Sequence, residues 1–174
     1  EFQLDLVAKD SVSGKGMVID SIYQNNISVD FTHLGNRITI VPEHIFQGIV
    51  YTYTIKYHGI PEDGLVIGNN RHGDRTFFGD NWPDRAHNWF PCVDHPSDKA
   101  TVEYLVTAPN HYQVIANGFL KEETNLSNER TLYHWKTTAP LPTKVMVVGI
   151  ALFAVQNIGY TQGIPVSTWV YPQT

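Results

Sequence analysis

A chain of 174 residues with 42% hydrophobic and 17% charged residues can bury a sizeable core and fits one globular domain rather than a disordered segment. A formal charge of −5 with no Lys/Arg run argues against a nucleic-acid surface, and no apolar stretch is long enough to span a membrane. The single cysteine, Cys92, excludes an internal disulfide and leaves the redox compartment open.

Period-two alternation dominates the chain from its start. Phe2–Val7 and Met17–Ile22 are predicted strands, parted by the Ser13-Gly14 turn. Ile27, Val29 and Phe31 alternate, and Arg37–Ile40 follows the Gly35-Asn36 turn; Glu43-His44 falls in a loop after Pro42. Further on, Ile49, Tyr51, Tyr53, Ile55 and Tyr57 share one face, while Val50, Thr52, Thr54, Lys56 and His58 share the other. Beyond Pro61-Glu62-Asp63-Gly64 come Val102, Tyr104 and Val106, then Gln113–Ala116. Asn117-Gly118 reads as a hairpin, because a type I′ turn needs positive φ at both central residues. Arg130–Thr137, Val145–Gln156 and Val166–Tyr171 complete the strands, and the apolar run Val145 to Val155 reads as one buried strand. Apolar residues at helical spacing never extend over three turns; Pro83–Trp89 supports a turn or two. Short strands with frequent turns predict an all-β, antiparallel β-sandwich.

The segment Phe77 to Lys99, FFGDNWPDRAHNWFPCVDHPSDK, holds Pro83, Pro91 and Pro96 among Trp82, Trp89 and Phe90. Prolines at that density forbid a regular helix or a central strand, so the segment must be an ordered loop, where binding function tends to sit. Residues 89 to 100, W-F-P-C-V-D-H-P-S-D-K-A, resemble the F-P-C-x-D-x-P-x-x-K-A signature in the amino-terminal domain of zinc aminopeptidases, the family of aminopeptidase N and leukotriene A4 hydrolase. The resemblance continues through Val114-Ile115-Ala116-Asn117-Gly118 and Pro142-Thr143-Lys144-Val145. Upstream it includes Phe2-Gln3-Leu4-Asp5-Leu6 and Tyr57-His58-Gly59, so that it spans nearly the whole chain. It implies a saddle-shaped pair of sheets, with residues 1–174 as a single domain excised from the amino-terminal part of a larger peptidase. The family's strand pairs ahead of the L-D-L strand have no counterpart, which would leave a sheet edge unpaired.

The family's reaction needs zinc on two histidines at i and i+4 with a general-base glutamate between them. No pair among the eight histidines has that spacing, and there is no HExxH. The resemblance therefore implies that zinc and the catalytic domain lie outside this segment, which should be inactive alone and bind no cofactor itself. There is no G-x-S-x-G elbow. Cys92 with His95 is conceivable as a nucleophile pair, but a free cysteine is more often a small buried hydrophobe. A metal site from His87 and His95 lacks a third ligand with suitable spacing.

What the resemblance leaves to this domain is a wall of the substrate cleft. In the family a Gln or Glu ahead of F-P-C-x-D helps hold the substrate's α-amine, and strict register places it on Trp82, which cannot accept from an ammonium. Asp80 or Asn81 would take over through a shifted loop, with Trp82 lining the first side-chain pocket; alternatively the catalytic domain holds the amine alone, or Asp80 and Asn81 form an Asx turn ahead of Pro83. His87 stands where the family commonly has Arg, and Arg85 could substitute for it. Asp94 and Lys99 read as structural, the first capping backbone N–H groups and the second pairing with a carboxylate. The implied partners are the protein's own catalytic domain and a peptide amino terminus. The rival reading is a non-catalytic carbohydrate- or protein-binding β-sandwich module using Trp82, Trp89, Trp135 and Trp169.

Overall fold

The computed structural model describes residues 1–42 and 44–173. The loop reading of Glu43 therefore lies outside the described residues. Nine of the strand pairs form antiparallel ladders, and the described residues divide into two compact units.

The first unit comprises Glu1–Leu65, Asp80–Ala100 and Pro142–Val145. In one of its sheets Arg37–Val41 lies between Phe2–Asp5 and Asp30–Leu34; in the other Gly16–Gln24 lies between Ile27–Ser28 and Tyr53–Ile60. Met17 and Ile22 from the second sheet meet Ile38 and Ile40 from the first, with Leu6 and Val29, in one buried cluster. Two sheets facing each other across a shared core are the layering of a β-sandwich, as the alternation predicts. Tyr53, Ile55 and Tyr57 pack against that cluster, which accounts for the tyrosine face without a ligand.

The strand predicted from Ile49 begins only at Tyr53. Its partner runs out there: Gln24 pairs with Tyr53, and the chain then turns at Asn25 and Asn26, both at positive φ. Periodicity reports a face but not the length of the neighbour that would bond it. Ile49 and Val50 are left exposed.

The second unit comprises residues 66–79, 101–141 and 146–173. Arg130–Lys136 is the centre of a three-stranded sheet with Glu103–Pro109 and Phe119–Leu126. A second sheet runs in the order Gln113–Ala116, Val148–Ala151, Arg75–Gly79, Leu65–Asn69, and Ala154–Thr161 pairs with Ile164–Val170 as a separate hairpin. Val114, Tyr133, Trp135, Val148 and Ala151 are buried.

Two expectations fail in the later part of the chain. Asn117-Gly118 is not a hairpin turn: Gln113–Ala116 pairs with Val148–Ala151, whereas Phe119–Leu126 pairs with Arg130–Lys136. Only Gly118 of the two has positive φ, at 95°, and a Cβ there would collide with the Lys136 carbonyl. The Asn117 side chain instead accepts the Val147 N–H at 2.6 Å, so it serves the point where the chain passes from one sheet to another. The run Val145 to Val155 is likewise not one strand. Thr143–Val145 is a 3₁₀ turn, Val148–Ala151 is a strand, and Phe153 N–H bonds the Ala151 carbonyl before a new strand starts at Ala154. Continuous apolarity cannot reveal a break whose cause is a change of hydrogen-bond partner.

Candidate functional site

The segment Phe77 to Lys99 is not loop throughout, because Phe77–Gly79 belongs to the central strand Arg75–Gly79 and Lys99 to the short strand Lys99–Ala100; between them the chain is a loop with a single 3₁₀ turn, Ala86–Asn88. It is fastened to the first unit by main-chain bonds. Asp5 and Cys92 exchange both hydrogen bonds at 2.7 and 3.1 Å, Val7 N–H reaches His87 O at 2.9 Å, and Asp80 N–H reaches Gly64 O at 2.7 Å. Gly64 sits at φ +73°, and a side chain there would collide with the Arg85 carbonyl, so only glycine lets the loop lie so close.

Side chains complete the frame. Asp94, 4% exposed, accepts the His87 main-chain N–H at 3.1 Å and the His87 Nδ1–H at 2.6 Å through one oxygen, and the Thr143 hydroxyl at 2.8 Å through the other. That is the backbone-capping role expected of it. Arg85 bonds Asp80 at 2.8 Å, Asp63 at 3.3 Å and the Trp82 carbonyl at 2.6 Å. Lys99 is exposed and, among the described residues, has no carboxylate partner, because its two-residue strand Lys99–Ala100 is exposed throughout. Cys92 is buried, and burial, with Asp94 and Asp5 nearby, pushes its thiol well above the usual range. A thiol so placed is not a nucleophile; His95 bonds Ser97 at 2.7 Å.

The three residues singled out from sequence have different environments. Asn81 is 1% exposed, its Nδ2 donates to Thr143 O at 3.0 Å, and its Oδ1 accepts the Trp89 indole N–H at 2.8 Å. Its carbonyl also accepts the Arg85 N–H at 2.9 Å. Asp80 has a half-exposed carboxylate held by Arg85. Trp82 is 60% exposed and carries the Lys144 ammonium over its ring, 4.4 Å from the centroid. Lys144 is the residue sequence reasoning missed. It lies 62 positions along the chain from Trp82, and the Asn81–Thr143 and Thr143–Asp94 bonds help bring the segments together.

Asp5, Asp84, His87 and Asp94 line an open polar cleft with Arg37 and Asn36. Even so, among the described residues no three His, Cys, Asp or Glu side chains are disposed to hold a metal ion. The donor set does not fit zinc. Of the four tryptophans, Trp135 is buried with its N–H on Val114 O, Trp89 is tied to Asn81, and Trp169 bonds Ser167. Trp82 is the one among them with a largely open ring.

The all-β scaffold and the anchored F-P-C loop are the features by which the chain can be compared with known proteins. The chain belongs to the peptidase M1 N-terminal domain family, whose sequence profile matches residues 12–145. It is 26% identical over 129 residues to aminopeptidase A of Gloydius brevicauda, across 71% of this chain and 14% of that protein. It is 29% identical over 137 residues to glutamyl aminopeptidase of Rattus norvegicus, again across 71% and 14%. A point variant of the M1 zinc metallopeptidase from Deinococcus radiodurans superposes with a TM-score of 0.80 at 21% identity, over 98% of this chain and 39% of that one. Leukotriene A4 hydrolase from Saccharomyces cerevisiae gives 0.79 at 18% identity, over 99% and 26%. At these identities the structural likeness establishes the fold. The chain spans a minor part of each relative's length.

Proposed function

We propose that residues 1–174 form the amino-terminal, cleft-shaping domain of a zinc-dependent aminopeptidase that removes residues from peptide amino termini. The observation that carries this reading is the family match over residues 12–145, within which the anchored loop presents Asp80 and Trp82 outward. The zinc belongs to the catalytic domain of the parent polypeptide, and this domain docks beside it as one wall of the cleft. Asp80 faces the substrate's α-ammonium, replacing part of its lost hydration, and Trp82 lines the first side-chain pocket. Asn81 acts behind them, as a positioning residue that ties the loop to Thr143 and Trp89.

The test is hydrolysis of aminoacyl-arylamides by the full-length parent protein, with and without a zinc chelator. Turnover abolished by the chelator and restored by zinc is expected, with none from residues 1–174 alone. Activity indifferent to chelation, or residing in the isolated segment, overturns the reading. The exposed ring of Trp82 also suits a carbohydrate-binding module; glycan binding by the isolated domain, lost in Trp82→Ala, would favour that alternative.

A further inference from the structure

Lys144 does not extend into water with a carboxylate for company. Its ammonium rests on the open ring of Trp82 at 4.4 Å, and no acidic side chain among the described residues lies within ion-pair distance of it. The nearby loop carboxylates of Asp80 and Asp63 are both engaged by Arg85. The backbone beneath is fixed at both ends: Thr143, preceding Lys144, bonds Asp94 and Asn81, and Asn81 precedes Trp82. The outward surface is therefore an aromatic plane bearing one cation that no acidic side chain among the described residues pairs with. Such a surface offers an incoming carboxylate a charge-assisted hydrogen bond, and offers the methylenes behind it an apolar floor. An incoming ammonium or guanidinium meets like charge on that floor.

We infer that Lys144 is a specificity-determining residue, which makes this wall favour substrates whose first side chain is acidic over those whose first side chain is basic. This rests on the proposed function, since it concerns the pocket that Trp82 would line. The α-ammonium goes to the Asp80 side and the side-chain carboxylate to Lys144, so the two charges of an acidic amino-terminal residue are separated onto different groups.

The experiment compares kcat/KM of the full-length parent protein for glutamyl- and lysyl-arylamides. The wild type is expected to favour the glutamyl substrate, and Lys144→Met to lower the glutamyl-to-lysyl ratio about five- to tenfold, the scale of one partly screened charge pair. Lys144→Arg should keep the preference and Lys144→Glu should reverse it. Raising ionic strength should compress the wild-type ratio, a measurement that depends on no variant folding. A wild-type ratio at or below one, a ratio insensitive to salt, or one unchanged in Lys144→Met overturns the inference while leaving aminopeptidase activity intact. Absence of hydrolysis with every aminoacyl-arylamide overturns the proposed function, and this inference with it.

Discussion

Asn81 shows what one buried amide can organise. Its two ends hold the Thr143 carbonyl and the Trp89 indole at once, so Asn81→Leu would strand both groups away from water. The expected cost is about 2–4 kcal/mol, the sum of two unsatisfied buried partners, read as a lower urea midpoint. Register along the chain can nominate Asn81 as a ligand, yet burial is a property of what folds over it, and Thr143 lies 62 residues away. The tyrosines carry a second prediction. Burial raises Tyr57 to about 12, with a smaller contribution from Cys92, and raises Tyr133 to about 12, with Glu123 adding to it. Tyr104 is raised further, again by burial. A folded-state value above the unfolded one means that the native state retains protons the unfolded chain releases. The stabilisation is complete below about pH 10 and declines as pH climbs towards 12. Urea midpoints measured from pH 9 to 12 should fall over that window; a flat profile would contradict the burial of these hydroxyls.

Among the elements, the hairpin of Ala154–Thr161 and Ile164–Val170 stands apart, because nearly every residue in it is exposed. Ile158 at 62%, Tyr160 at 79% and Ile164 at 66% give it apolar side chains in water. A lone two-stranded ladder is marginal by itself. Replacing Ile158 and Ile164 with Lys should change stability by less than about 0.5 kcal/mol. The same variants should lessen concentration-dependent association of the isolated segment, measured by light scattering. A strand with an alternating buried face, such as Arg37–Val41, was legible from sequence, as Arg37–Ile40. Phe119–Leu126 was not, since seven of its eight positions are exposed and its apolar residues cluster at the ends. Nor could the Val145 to Val155 run disclose its breaks, because apolarity is the same on both sides of each.

For the molecule as a whole, the fold class and the family could be read from sequence because both rest on local pattern: alternation for one, the F-P-C-V-D-H-P-S-D-K segment for the other. The surroundings of Trp82 could not, since Lys144 lies over its ring and Arg85, which bonds Asp63, holds its carbonyl, so that three separate stretches of chain meet there. The unequal shielding of the indoles has a practical consequence. Iodide or acrylamide in solution should reach the Trp82 fluorophore far more readily than Trp135, which is 8% exposed. Quenchable emission would then report chiefly on one side chain, and anything seated against that ring would protect it from the quencher, giving an optical signal of occupancy that needs no turnover.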